Sequence, residues 1–150
     1  MFMQSRFLPG FIACLTLLTG NVASAAQTPT HRYVSVAGHR FEVEIADTDA
    51  AREHGLMFRT HLAADHGMLF VYPDARVRTF WMKNTLIPLD ILFFDAQGRL
   101  INVSADTPPC KTSRCPTFSS TAPARYVLEL HSGVAKKSGF DPGAALVLSR

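Results

Sequence analysis

The sequence has little of what most function-bearing patterns need. Of 150 residues, three are cysteine and one is tryptophan. No G-x-S-x-G stretch occurs, so the strand–turn–helix that exposes an α/β-hydrolase serine is excluded. No run of lysine and arginine occurs. The 15 basic and 12 acidic side chains leave a net charge of +3, too balanced for the electrostatic footprint of a nucleic-acid-binding protein. No apolar run reaches the roughly 20 residues that a membrane-spanning helix needs. Repeats and low-complexity tracts are absent, and the length suits one domain.

The longest apolar run, residues 7–18, follows the single charge Arg6 and precedes Ala23-Ser24-Ala25. That order describes a secretory signal peptide over residues 1–25. The domain is then residues 26–150, periplasmic or secreted, with no stable membrane anchor after cleavage. Intact mass should place the first residue of the exported protein near Ala26, and a mass that retains residues 1–25 rules the leader out. Cys14 leaves with the leader, so Cys110 and Cys115 remain. In an oxidising compartment a close even pair reads as a disulfide. Zinc would require two further ligands, and no nearby histidine supplies them. The pattern therefore predicts no metal and no cofactor.

Short alternating segments dominate the rest. Tyr33–Val36 and Phe41–Ile45 flank Ala37-Gly38 as a hairpin. Thr48 or Asp49 caps a short helix that stops at Gly55. Residues 67–72, 77–83, 89–95, 100–105, 126–130 and 145–148 read as further strands. Ser132 is placed to cap a second short helix ending at Gly139. Residues 106–124 form a long polar loop that needs tying down. The fold class is mainly β: about seven short strands in a single-domain antiparallel sandwich or partly open barrel, with two short helices. Met68–Tyr72 and Ile91–Phe94, apolar on both faces, are expected to be central.

The stretch Phe80–Phe94, F-W-M-K-N-T-L-I-P-L-D-I-L-F-F, holds the one tryptophan and sets a lysine, an asparagine and an aspartate among apolar residues. If strands 77–83 and 89–95 pair across the Asn84–Pro88 turn, Lys83 falls opposite Asp90 as an ion pair. The functional reading makes Trp81 the apolar wall of a polar pocket with Lys83, Asn84 and Asp90, joined by Arg59. Such a pocket suits a small polar or glycan-like ligand.

Gly55-Leu56-Met57-Phe58-Arg59, Gly67-Met68-Leu69-Phe70, Phe80-Trp81-Met82-Lys83-Asn84-Thr85, Pro88-Leu89-Asp90 and Tyr126-Val127-Leu128-Glu129-Leu130 come in this order, with Gly143 near the end. Together they resemble the small bacterial and archaeal family called domain of unknown function 192, over about Phe41 to Leu148. The resemblance implies an all-β, sandwich-like domain that is often exported. It implies no activity and no catalytic residue.

Three functions follow from the residues. The first is a monomeric exported domain that binds a small polar or glycan-like ligand, or assists another envelope protein. The second is a small hydrolase in which Lys83 serves as base to Ser119 or Ser120 in the long loop. In that weighing Glu129 is not a convincing base. The third is copper handling by Met57, Met68 and Met82 with His54, His61 and His66, soft ligands that suit copper in a secreted chain. Against copper, the methionines lie in apolar words typical of core packing.

Overall fold

The computed structural model describes residues 31–149; the leader expected over residues 1–25 lies outside them. The described residues form nine strands and two short helices. Strands β1 (His31–Val36) and β2 (His39–Ala46) make the expected hairpin. Both turn residues are left-handed, Ala37 at φ 48° and Gly38 at φ 83°, as a two-residue hairpin turn demands. Helix α1 (Asp49–His54) starts at Thr48, whose hydroxyl accepts from Ala51 N at 3.2 Å. Gly55, left-handed at φ 50°, ends it.

Then follow β3 (His66–Arg76), β4 (Thr79–Trp81), β5 (Leu89–Phe94), β6 (Leu100–Thr107), β7 (Thr117–Ser119), β8 (Ala124–His131), helix α2 (Val134–Ser138) and β9 (Leu146–Leu148). Seven strands form one sheet in the order β6-β5-β8-β3-β2-β1-β9. Every pair is antiparallel except β2 and β3, which the α1 crossover joins in parallel. The doubly apolar strands β3 and β5 sit inside the sheet, as their composition requires.

The sheet curls through 189°, a partly open half-barrel. Its two edges meet: Leu146 N donates to Gly98 O at 2.7 Å and Leu100 N to Ala144 O at 2.9 Å. Gly98 permits this approach, since a Cβ there would stand 3.0 Å from Leu146 O. One core cluster draws Leu100 from β6 and Leu146 from β9, with Val34, Leu92, Leu128 and Phe140, and so fills the inside of the curl. The other, around Phe70, Met82, Ile91, Phe93 and Val127, lies on the outer face beneath α1 and the loops.

The structure corrects three local expectations. Residues 77–83 do not form a strand beside 89–95. Only Thr79–Trp81 is extended, and it leaves the main sheet to pair with β7 in a two-stranded ribbon. Both edges of β5 are already taken by β6 and β8, so no place remains for it there. Lys83 is therefore not opposite Asp90 and bridges Cys110 instead. The long loop 106–124 contains β7 and is held by Ser120 N, which donates to Arg78 O at 2.9 Å. Ser132 does not cap α2. Its hydroxyl donates to Asp106, and Gly133 is the N-cap residue. The capping acceptor comes from across the fold: Asp90 Oδ2 accepts from Ala135 N at 2.8 Å.

Candidate functional site

On the outer face, the end of α1, the loop after it and residues 81–84 bound a groove of about 460 Å³. Glu53, His54 and Met57 form one wall, and Trp81, Lys83 and Asn84 the other. Three of the residues expected to bind a ligand are thus brought together. Trp81 is 48 % exposed, and the Lys83 ammonium lies 4.9 Å from its ring centroid. That is a cation–π distance.

The groove is held by backbone in the left-handed region. Asn84 has φ 56° and Phe58 φ 63°, and Phe58 N donates to Asn84 O at 2.8 Å. Asparagine tolerates this conformation, whereas phenylalanine adopts it only where surroundings impose it. Phe58 is also 61 % exposed, so packing of its ring is not what holds it there. The disulfide loop supports the other wall. Asn84 N donates to Cys110 O at 3.0 Å and Cys110 N to Met82 O at 3.1 Å, and Cys110 is bonded to Cys115 as expected. Its ring closes over few residues, so it contributes only about 2 kcal/mol in the chain-entropy account. A Cys110→Ser, Cys115→Ser double variant should fold, with its unfolding free energy from urea melting lowered by no more than that. Global unfolding of the variant would refute this local role.

Beneath the groove lies a recess of about 40 Å³. Gly55, Phe70, Phe80, Trp81 and Lys83 line it together with Glu129. Glu129 sits mid-strand in β8, in register with Met68 of β3 and Ile91 of β5. It is 5 % exposed and makes no hydrogen bond or ion pair among the described residues. Its oxygens border the recess rather than being sealed in protein, since no fully enclosed side-chain oxygen among the described residues lacks a partner. Burial alone pushes its carboxyl up to about 8. Desolvation raises the nearby Tyr72 phenol as well, against the pull of Arg78 and Arg52. Arg52 does not neutralise Glu129. Three of its N–H donors go to Asp47 O at 2.6 Å, Val71 O at 2.8 Å and Asp49 Oδ1 at 2.5 Å. Glu129 is the candidate site residue that sequence reasoning set aside. The available signal was a glutamate inside the otherwise apolar word Val127-Leu128-Glu129-Leu130, in a strand buried on both faces.

The remaining expected residues lie elsewhere. Asp90 is fully buried and belongs to the scaffold: Oδ1 accepts from Asp106 N at 2.9 Å and Oδ2 from Ala135 N. Arg59 pairs with Glu44 at 2.5 and 2.6 Å in a separate hollow with His61 and His66. Neither loop serine is paired with Lys83. Ser120 Oγ accepts from Arg78 N at 2.9 Å, and Ser119 Oγ is 2.9 Å from Thr79 Oγ1. Met68 and Met82 are buried in the outer core. Among the described residues no three His, Cys, Asp or Glu side chains are grouped to hold a metal ion. A larger cavity, about 630 Å³, opens at the β1–β9 side between Arg32, Val34, Val71 and Leu148. Its lining holds no largely buried carboxyl, and for that reason the groove above Glu129 is the better candidate.

The described residues thus form a small half-barrel β-domain whose outer face carries an aromatic-walled groove over a largely buried carboxyl. The chain belongs to the DUF192 family, described as Uncharacterized ACR, whose sequence profile matches residues 32–148. Among curated proteins none matches. Two solved structures are similar. One is a protein of Sinorhizobium meliloti 1021 named as a candidate transcription regulator, 35 % identical over 81 % of this chain and 96 % of that one, with a TM-score of 0.75. The other is a protein of unknown function from Novosphingobium aromaticivorans DSM 12444, 34 % identical over 85 % of this chain and 99 % of that one, with a TM-score of 0.73. No helix among the described residues is long and apolar enough to cross a membrane.

Proposed function

We propose that this protein is an exported, monomeric domain of the cell envelope that holds a small polar, glycan-like ligand in the groove beside Trp81. The observation that carries this reading is the groove itself: a half-exposed indole, an ammonium and an amide face one concave space of about 460 Å³. Binding sites combine apolar wall with a few placed polar groups in this way. The backbone strain at Phe58 and Asn84 supports it, because left-handed non-glycine residues persist where a site requires them. The leader pattern of residues 1–25 and the disulfide support export. The near-balanced charge favours a small polar ligand over nucleic acid.

Calorimetry with short neutral oligosaccharides, cellobiose and diacetylchitobiose, tests the reading. Saturable binding that weakens at least about fivefold in Trp81→Ala is expected, because a lost aromatic contact removes about 1 kcal/mol or more. Binding undiminished in Trp81→Ala would remove the groove from consideration.

A further inference from the structure

The recess beneath the groove differs in chemistry from the groove. It is too narrow for a sugar ring. At about 40 Å³ it accommodates one group the size of a water molecule or an ammonium. Its free polar group is the Glu129 carboxyl, 95 % withdrawn from solvent by its 5 % exposure. Several of the donors around it are already used. Gly55 N donates to Ala51 O at 2.9 Å, Thr85 Oγ1 to Lys83 O at 3.5 Å, and Arg52 to its own three acceptors. The remaining walls include the aromatic rings of Phe70, Phe80 and Trp81 and the Lys83 side chain, whose ammonium rests on the Trp81 ring. An unpaired carboxyl enclosed by aromatic rings favours a donor-rich cation.

We infer that the recess receives the primary ammonium tip of the ligand, with Glu129 as its counter-charge and the ligand's polar body lying in the groove above. This rests on the groove being the binding site and names the ligand class: a small polar molecule ending in an aliphatic amine. The Lys83 ammonium lies against the Trp81 ring, 4.9 Å from its centroid. The charged or titratable groups around Glu129 are Arg52, Glu53 and His54 from α1, Tyr72 from β3, Lys83 from the segment after β4, and His131 two residues along β8. On β5 the facing residue is the apolar Ile91.

The ligand arrives as a cation, so Glu129 releases its proton as the ion pair forms. The bond broken is the carboxyl O–H, the proton goes to solvent, and no redox change occurs. Below about pH 8, where the free carboxyl holds that proton, affinity should rise about tenfold per pH unit and then level off.

The test uses n-butylammonium chloride as probe and 1-butanol as its neutral counterpart, titrated between pH 6 and 9 and followed through the NMR signal of the Trp81 indole N–H. We expect n-butylammonium to bind about 50-fold more tightly at pH 8 than at pH 6, and 1-butanol to bind at least about tenfold more weakly than the amine at pH 8. Glu129→Gln keeps the shape and should abolish the slope. Equal or tighter binding of 1-butanol, or affinity falling as pH rises, overturns the inference. A slope that survives Glu129→Gln belongs to Glu53 or His54 and overturns it too. If a neutral disaccharide binds and the amine does not, the recess inference fails alone. If neither binds, the groove reading fails with it.

Discussion

Glu129→Gln should make the protein more stable at pH 8 and leave it unchanged at pH 4. The carboxyl ordinarily titrates near 4.5 and burial moves it to about 8 in the folded state. The folded protein therefore holds this proton more tightly than the unfolded chain does. The stability linked to that proton is fully present below about pH 4.5 and is lost as pH rises through 8. Each pH unit in that window removes about 1.4 kcal/mol, so on the order of 3–5 kcal/mol separates the two ends. Glutamine is neutral at every pH and has nothing to lose. Urea melts at pH 4, 6 and 8 should show the two proteins converging at acid pH and diverging above it, the variant being the more stable. A stability difference that does not change with pH would mean that the native carboxylate is ionised and paired. The proposed amine ligand would offset this cost by pairing with the carboxylate.

The fold was legible in the sequence because its signals are local. The hairpin at Ala37-Gly38, the cap at Thr48 and the stop at Gly55 each follow from residues close together in the chain. The interior position of β3 and β5 follows from their unbroken apolar runs. What was not legible is which strands become partners. Residues 79–81 carry the alternation of any strand, and only the prior occupation of both β5 edges sends them to β7. The predicted pairing of Lys83 with Asp90 failed for that reason. Trp81, Lys83 and Asn84 stand together in the site because they are sequence neighbours. Glu129, 45 residues or more away from them in the chain, reaches the site only through the sheet register with β3 and β5. No spacing rule could place it there. Arg59 was drawn in by its neighbours Leu56-Met57-Phe58, but its charge is answered by Glu44.

Asp90→Ala should be among the most destabilising single substitutions in the protein, and Lys83→Met among the mildest. Asp90 is fully buried and satisfies two backbone donors, Asp106 N at 2.9 Å and Ala135 N at 2.8 Å. The first follows a strand residue and itself lies at the left-handed φ of 50°. The second is an orphan N–H in the first turn of α2, whose N-cap residue Gly133 offers no side chain. Removing the carboxylate strands both donors away from water, at about 1–3 kcal/mol each, so a loss of about 3 kcal/mol or more is expected. Asp90→Asn keeps one acceptor oxygen and should fall between. Lys83 is half-exposed, and its charge rests on the Trp81 ring rather than on a buried partner, so Lys83→Met should move stability by less than about 1 kcal/mol. Because the two side chains do not touch, Lys83→Met cannot rescue an Asp90 variant. The double variant should show the sum of the two single changes. Urea melting of both singles and the double measures this directly. Recovery in the double would restore the ion pair across the Asn84–Pro88 turn and contradict the placement of Asp90 under α2. Additivity separates the two roles that one apolar stretch carries: Asp90 ties the helix and the β6 bulge to the sheet, and Lys83 is left free to serve the groove.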